Sequence, residues 1–415
     1  MTNYSPEIQY CWRDHRHLCC IRIYDTSVVL NLFVGERRWK IYFLYFKQAR
    51  SRKKRSYNLR KGDSTMLSNK SIYFKRWLSV LLVMAMVTMF GVIDAQAKKI
   101  TLKFDHQNNT FDADQLLAET FKNLVEKKSN GEIEVTIFPG TLTNSEEEAI
   151  EFLKMGSVDI GATSAGHIAG YYPDIQFLQL PYLFKSMEHY KVARRSGVVN
   201  EIMRKVSEAT GLIALGIYSD CNGFAISSTT PITKIEDAKG VKLRCMQNPL
   251  FVDIYKDFGF TVTPTDWGEL YTSLQTGLVN ANDLGVYCNY IFKLKEVVKS
   301  FAILNQMWTQ KIIFISTKAL DKLNDRQRDI VADAAKSAVE LTDAWQYVRE
   351  QEFIKKAEKE GYTVTHPDTT PFKKASEKVY AKWFKKNSHW KAWYDEIQLL
   401  DPDVALPVAY GGKRD

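Results

Sequence analysis

Residues 232–249 read ITKIEDAKGVKLRCMQNP, and residues 262–286 read VTPTDWGELYTSLQTGLVNANDLGV. In the first stretch, the alternating residues 240–244 predict a strand that leads into a helix beginning near Pro249. In the second, the opening residues predict another strand, and a helix follows from Trp267. Strands that alternate with helices in this way are typical of βαβ units and a mainly parallel sheet.

The same alternation of strands and helices precedes these two stretches. No Pro-rich or Ser-rich linker interrupts it, so we expect two α/β lobes joined by short, strand-like crossings. The predicted segments are, in order, strand 99–104, helix 112–128, strand 132–138, helix 145–154, strand 158–163 and strands 211–219 and 223–228.

Residues 324–360 contain neither glycine nor proline and predict one long helix. At 1.5 Å per residue such a helix would reach ~55 Å, which is longer than one lobe. We therefore expect it to span both lobes. The alternative is a pair of helices broken near Thr342.

Residues 66–97 have the order of parts of a secretory signal peptide. Lys70, Lys75 and Arg76 form a basic start, an apolar stretch follows, and a small-residue cleavage site ends at Ala97. The apolar stretch of about 16 residues is short against the roughly 20 that span a bilayer. We expect cleavage after Ala97 and export to the periplasm, the alternative being an uncleaved membrane anchor.

Residues 1–65 precede the predicted signal peptide, which belongs at an N-terminus. Met66 stands where an initiator methionine would stand. We therefore predict that residues 1–65 are either a wrongly assigned start or a disordered extension. The basic run RSRKKR at 50–55 also fits a nucleic-acid patch or a targeting signal, which is the less favoured interpretation.

The net charge of +9 over 415 residues hints at nucleic acid or an anionic membrane when taken whole. The distribution of this charge along the chain argues against both partners. Residues 1–65 hold 14 Lys and Arg against 5 Asp and Glu, residues 66–97 add +2, and residues 98–415 carry −2. With 45% hydrophobic and 25% charged residues, the chain has a globular composition, and we expect no nucleic-acid partner.

Beyond residue 97 there are three cysteines, Cys221, Cys245 and Cys288. An odd number leaves at least one free thiol, and no CxxC motif is present. We expect buried free cysteines. A Cys221–Cys245 disulfide is the alternative in an oxidising compartment.

Motifs of enzyme sites are missing from the sequence. It contains no HExxH, GxSxG, GxxxxGK[ST] or GxGxxG. His106, His167, His189 and His366 have no metal-ligand spacing, and the glutamates at 146–148 fit a solvated helix start favoured by the helix dipole. We therefore predict no catalysis, no metal and no cofactor.

Residues 232–284 resemble the solute-binding subunit of TRAP (tripartite ATP-independent periplasmic) transporters of the DctP type. The family pattern is roughly IxxxxDxKGxKxR, a helix, and PxxWxExYxALQxGxVDGxE. With weaker matches upstream, such as LPYLF at 180–184, the resemblance covers about 98–400. The residues that match the pattern are Asp237, Lys239, Gly240, Lys242, Arg244, Pro264, Trp267, Glu269, Tyr271, Leu274, Gln275, Gly277 and Val279.

The resemblance implies a periplasmic-binding-protein-like fold in which two α/β lobes, joined by hinge strands and the long helix, close on a ligand. We assign residues 98–221 plus 310–349 to lobe I and residues 222–309 plus 350–415 to lobe II. The resemblance also implies a monomer that captures a small organic acid in the periplasm and delivers it to a TRAP permease. The alternatives are presentation of the ligand to a sensor kinase, or an enzyme on the same scaffold.

The resemblance assigns the ligand carboxylate to Arg244, and the chemistry agrees, because a guanidinium matches a carboxylate in bidentate geometry. Trp267 would pack on the ligand and begin a helix whose amides face the cleft. Gln107 and Ser164 stand at loop positions where the family often places ligand contacts, and Phe224 is also a predicted ligand-binding residue. Asn248, Asn282 and Asp283 are weaker candidates.

The sequence departs from the family pattern at a second carboxylate contact. Many relatives carry NGFR, whereas here Phe224 is followed by Ala225, and the usual DGQEN reads NANDL at 280–284. With one arginine lost, we expect a small or singly charged ligand, such as a hydroxy acid, keto acid or sulfonate, in place of a C4-dicarboxylate. A less favoured alternative is a metal ion held by Asp283, Glu269 and the carbonyl of Trp267.

Overall fold

The computed structural model describes residues 8–14, 17–24, 27–34, 37–44, 99–143, 145–219 and 222–403. The chain divides into two compact units, Met1–Asp94 and Ala95–Asp415. The predicted signal peptide, its cleavage site and Cys221 lie outside the described residues.

In the first unit, four strands form an antiparallel sheet in chain order. They stand where the sequence predicted a wrongly assigned start or a disordered extension, and their many β-branched and aromatic residues favour strands. The strands are Ile8–Asp14 (β1), His17–Tyr24 (β2), Ser27–Val34 (β3) and Arg37–Leu44 (β4).

The second unit contains a five-stranded sheet, sheet A, and a six-stranded sheet, sheet B. Their strands, in chain order, are Ile100–His106 (β5), Ile133–Pro139 (β6), Ile160–Ser164 (β7), Ile213–Ser219 (β8), Asn222–Ser228 (β9), Lys242–Cys245 (β10), Thr261–Pro264 (β11), Ala281–Leu284 (β12), Ser300–Ile303 (β13), Gln310–Ile315 (β14) and Thr363–Thr365 (β15).

Sheet A has the order β6-β5-β7-β14-β8, and sheet B has the order β11-β10-β12-β9-β13-β15. The βαβ pairs are parallel as predicted. However, β14 and β9 each run antiparallel to both neighbours. The reason is that each enters its sheet directly from a strand of the other sheet, with no crossover helix to reverse the chain. The sheets are therefore mixed, and the crossings at 219–222 and 303–310 are short, as expected.

The helices cover the faces of both sheets. They are Ala113–Lys128 (α1), Glu146–Met155 (α2), Ala165–Ile168 (α3), Met187–Ala193 (α4), Gly197–Thr210 (α5), Pro249–Asp257 (α6), Leu270–Gln275 (α7), Val286–Ile291 (α8), Thr317–Leu320 (α9), Asp325–Lys359 (α10), Thr370–Lys386 (α11) and His389–Gln398 (α12).

The long helix α10 is continuous over 35 residues, so the alternative of a break near Thr342 is wrong. It begins at Asn324, whose side chain accepts a hydrogen bond from the Gln327 amide in a capping box. Its first half buries residues such as Val331 in the core beneath sheet A, and its second half buries Ile354 in the core beneath sheet B. The helix thus joins both sheets.

The two cysteines whose side chains the structure describes differ in state. Cys245 is a buried free thiol, whereas Cys288 is disulfide-bonded. The expectation of free cysteines therefore holds for Cys245 and is wrong for Cys288, and the alternative Cys221–Cys245 bridge is excluded. In the described part of the chain, no helix combines the length and the apolarity that a membrane crossing requires.

Candidate ligand-binding site

A cavity of about 480 Å³ lies where the carboxyl ends of strands from both sheets meet. Residues that follow β5 and end β7 line it from sheet A, and residues that end β10 or follow β11 line it from sheet B. In open α/β sheets, ligands bind in the crevice outside the carboxyl ends of the parallel strands. The cavity is therefore the candidate site.

Arg244 is, with Lys311, a buried cation on the cavity wall, and only 4% of its surface is exposed. It sits on β10 between Thr263 of β11 and Asn282 of β12. Its Nε donates to the carbonyl of Thr265 at 3.1 Å, and its terminal nitrogens make no hydrogen bond to any residue that the structure describes. A buried guanidinium with unused donors favours the binding of an anion. This property agrees with the predicted role of Arg244 as a carboxylate clamp.

Trp267 lines the cavity next to Arg244, with 42% of its surface exposed. The Arg244 guanidinium lies 6.0 Å from its ring centroid, and Phe292 meets it edge-on at 4.8 Å. The predicted helix beginning at Trp267 is replaced by a short 3₁₀ turn, Trp267–Glu269, followed by α7. Trp267 thus supplies an apolar wall, but no α-helix begins with it.

Gln107 and Ser164 line the cavity from sheet A, as predicted. The Gln107 side-chain nitrogen donates to the Thr143 hydroxyl at 2.9 Å, while its oxygen has no hydrogen-bond partner among the described residues. The Ser164 hydroxyl lies 2.7 Å from Nδ1 of His167. Both residues place polar atoms where strands end.

Three of the predicted ligand contacts do not line the cavity. Asn248 caps α6, because its side-chain oxygen accepts from the Leu250 amide at 2.9 Å. Phe224 is buried in the core against Trp308. Asp283 is buried and accepts a hydrogen bond from the Tyr255 hydroxyl at 3.1 Å. The structure therefore does not place these three predicted contacts on the cavity wall.

Asp283 also acts on Arg244 electrostatically. Burial raises the pKa of Asp283, and the positive charge of Arg244 opposes that rise. Burial likewise lowers the pKa of Arg244, while Asp283 opposes that shift. Each buried charge therefore lessens the desolvation cost of the other.

The structure adds a charged cluster that sequence reasoning missed, formed by Glu146, Glu147, His167 and Lys311. The His167 ring contacts two carboxylates, with Nδ1 2.8 Å from Glu146 and Nε2 3.1 Å from Glu147. Lys311 lies 3.5 Å from Glu146 and 2.7 Å from Asp114. The four residues of the cluster line the cavity, whereas Asp114 does not.

The pKa shifts in this cluster follow from its contacts. Burial raises the pKa of Glu146, but Lys311 and His167 together bring it well below its ordinary value. Burial lowers the pKa of His167, but Glu146 and Glu147 bring it above its ordinary value. The cluster therefore favours an ionised Glu146 beside an imidazolium.

The sequence signals for this cluster were weak. The glutamates at 146–148 fit a solvated helix start, and His167 was one of several scattered histidines. The available clue was that His167 comes three residues after Ser164, which ends a buried strand. Only the sheet order reveals the rest, because β14 brings Lys311 opposite Ser164.

Ser164, His167 and Glu147 resemble a nucleophile, a base and an orienting acid. However, both ring nitrogens of His167 lie against carboxylates, an arrangement that favours a proton on each nitrogen. An imidazolium cannot accept the proton of the Ser164 hydroxyl. The arrangement is therefore suited to donating hydrogen bonds to a ligand.

The described residues contain no group of three or more His, Cys, Asp or Glu side chains that could hold a metal ion. The metal alternative named Asp283 and Glu269. Asp283 is buried against Tyr255, whereas Glu269 is exposed.

Comparison with protein families gives a match over residues 104–387 to the model described as bacterial extracellular solute-binding protein, family 7 (DctP). An uncharacterized protein of Haemophilus influenzae is 30% identical over 289 residues, or 69% of this chain and 87% of that protein. The sialic acid-binding periplasmic protein SiaP of Vibrio cholerae is 26% identical over 307 residues, or 73% of this chain and 94% of that protein.

Solved structures with the same fold include two with bound organic acids. A TRAP periplasmic solute-binding protein of Haemophilus influenzae with bound L-gulonate has a TM-score of 0.67 and 26% identity, covering 72% of this chain and 99% of that one. A TRAP periplasmic solute-binding protein of a Polaromonas species bound to D-erythronate has the same TM-score, identity and coverage.

Proposed function

The chain belongs to the DctP family of extracellular solute-binding proteins of TRAP transporters, and from that premise we propose that it captures one small organic acid and delivers it to a TRAP permease. Proteins of this family bind small organic ligands in the periplasm and work with TRAP permeases. The observation that carries the proposal is Arg244, a buried guanidinium on the cavity wall whose terminal nitrogens are unused within the described residues.

The charge of the cavity supports a ligand with a single negative charge. The charged side chains that line it are Arg244, Lys311 and His167 against Glu146, Glu147 and Asp266. With His167 protonated these charges balance, so a bound monoanion leaves the cavity with one excess negative charge and a dianion leaves it with two, which costs more. Ala225 is buried and offers no second guanidinium.

Relatives bind acids of this kind. Their described ligands include 2,3-diketo-L-gulonate, L-gulonate, D-erythronate and β-D-galacturonate, each of which carries one carboxylate and several hydroxyl or keto oxygens. We therefore favour a hydroxy or keto monocarboxylate for this chain. A short sulfonate has the same single charge and belongs in the same screen.

The two lobes are proposed as residues 98–221 plus 310–349 and 222–309 plus 350–415. The strands of sheets A and B fall within these ranges. The last helix, α12, reaches back to the first lobe, where Nε2 of His189 lies 2.9 Å from the Ile397 carbonyl. We propose a monomer that is exported to the periplasm, closes on its ligand by hinge bending and has no nucleic-acid partner.

A thermal-shift screen of the purified full-length chain tests this proposal, because a ligand that binds only the folded state raises its melting temperature. D-Erythronate, L-gulonate, pyruvate, a short alkanesulfonate and succinate form a sufficient panel. A monocarboxylate or the sulfonate should give the largest shift. A largest shift with succinate would overturn the assignment of ligand charge, and no shift with any acid would count against organic-acid binding.

A further inference from the structure

We infer that His167 is the second anchoring cation of the cavity, whose Nε2–H binds a hydroxyl or keto oxygen of the acid while Arg244 holds the carboxylate. The inference rests on the proposed function and specifies the chemistry of the ligand away from its carboxylate. Arg244 belongs to sheet B and His167 follows a strand of sheet A, so the two cations approach the cavity from different sheets.

The two nitrogens of His167 have unequal partners. Nδ1 faces Glu146, whose side chain is only 15% exposed and is held further by Lys311 and by the Ser164 amide at 2.6 Å. Nε2 faces Glu147, whose side chain is 60% exposed. An exposed ion pair contributes little, because water solvates both charges. The Nδ1 contact is therefore fixed, and a ligand oxygen can replace Glu147 at Nε2.

The surrounding acceptors define the rest of the ligand. Once displaced, Glu147 can accept a hydrogen bond from a hydroxyl group, and the side-chain oxygen of Gln107 has no partner among the described residues. A keto or hydroxyl oxygen thus finds a donor, and neighbouring hydroxyl protons find acceptors. An unsubstituted alkanoate gains none of these bonds and leaves Glu147 on the imidazolium.

The charged groups around His167 determine how binding depends on pH. They are Glu146 and Glu147 of α2, Lys311 of β14 and, lining the same cavity, Arg244 and Asp266. The two glutamates hold the pKa of His167 above its ordinary value against the effects of burial and Lys311. Since the protonated ring is the donor, affinity for a hydroxy acid should be full at low pH and fall as pH rises through that pKa.

The experiment is calorimetric titration of the full-length chain with two matched pairs, D-erythronate with butyrate and L-gulonate with hexanoate, from pH 5.5 to 8.5. The wild type should prefer the hydroxy acid of at least one pair. His167→Gln should lower that affinity about tenfold at low pH and remove its pH dependence, with a clearly smaller loss for the alkanoate, which loses only the charge of the imidazolium. Glu147→Gln should increase hydroxy-acid affinity, because a neutral amide competes less well for the imidazolium.

The Nε2 resonance of ¹⁵N-labelled His167 in the wild type is a second readout that does not depend on a variant folding. It should shift with the hydroxy acid and stay in place with the alkanoate. Equal affinity for both members of each pair, or wild-type affinity and pH dependence in His167→Gln, overturns the inference while organic-acid binding stands. Absence of binding by all four acids in the wild type overturns both.

Discussion

Arg244 combines a charge with almost complete burial, and within the described part of the chain its side chain makes one hydrogen bond, to the Thr265 carbonyl. A charged donor in such a place contributes more to ligand affinity than the same group on the surface, because the low dielectric strengthens its attraction to an anion. Its role as a carboxylate clamp remains a prediction, to which the structure adds the burial and the unused donors.

Replacement of Arg244 tests that role. Arg244→Ala should weaken binding of the best acid from the thermal-shift screen by roughly 100-fold, since losing one partner of a desolvated charge pair costs about 2–5 kcal/mol. Calorimetric titration measures the change. Arg326→Ala is the matched control, because Arg326 is an exposed arginine paired with Glu132, and it should bind normally. Unchanged affinity in Arg244→Ala would refute the clamp.

At the scale of elements, a buried carboxylate joins α10 to α8. Glu350 is 3% exposed and accepts hydrogen bonds from the amides of Val286 and Tyr287 at 2.8 and 3.0 Å. Burial raises its pKa to about 7, and the two amides only partly oppose this rise. The contact fixes the start of α8 against the helix that both cores share.

Glu350 should make the stability of the protein depend on pH. Its pKa is higher in the folded state than the ordinary 4.5, so the folded state binds the proton more tightly. The free energy of unfolding should therefore fall by up to about 3 kcal/mol as pH rises from about 4.5 through 7. Urea unfolding of the wild type and of Glu350→Gln at several pH values in this range isolates the effect. If the free energy of unfolding changed equally with pH in both proteins, the prediction would be wrong.

At the scale of the whole molecule, residues of the two proposed lobes lie close to one another at two points, one of them on the cavity wall. A Cβ atom placed on Gly166, in α3, would lie 2.5 Å from Sδ of Met246, just beyond β10. The Tyr287 hydroxyl donates to the carbonyl of Phe111, near the start of α1. These contacts support a closed arrangement of the lobes, in which small residues let the walls approach.

Gly166→Ala should therefore hinder closure and weaken ligand binding by up to about tenfold, at the low end of the 1–3 kcal/mol that overpacking costs, because the Met246 side chain is flexible. The variant Gly166→Ala/Met246→Ala should recover much of the affinity because it removes the clashing sulfur. Gly170→Ala is the control, since an added Cβ there would meet only the His167 carbonyl at 3.4 Å. Calorimetric titration measures the ligand affinity of the three variants. If the double variant bound no better than Gly166→Ala, a steric cause would be wrong.

Local sequence determined most of the elements and the family. The capped, proline-free run after Asn324 predicted α10, the alternating strands predicted the βαβ units, and the motifs around Arg244 and Trp267 predicted a TRAP solute-binding protein. Such features depend on neighbours within a few residues, or on an ordered set of motif residues, both of which are visible in one chain.

Only the tertiary structure decided the antiparallel entry of β9 and β14, the position of Asn248 off the cavity wall and the cluster around His167. Glu146, His167 and Lys311 are 21 and 144 residues apart in sequence and meet because β14 inserts between β7 and β8. Strand order and long-range ion pairs depend on which distant surfaces pack together, and no local pattern encodes that choice.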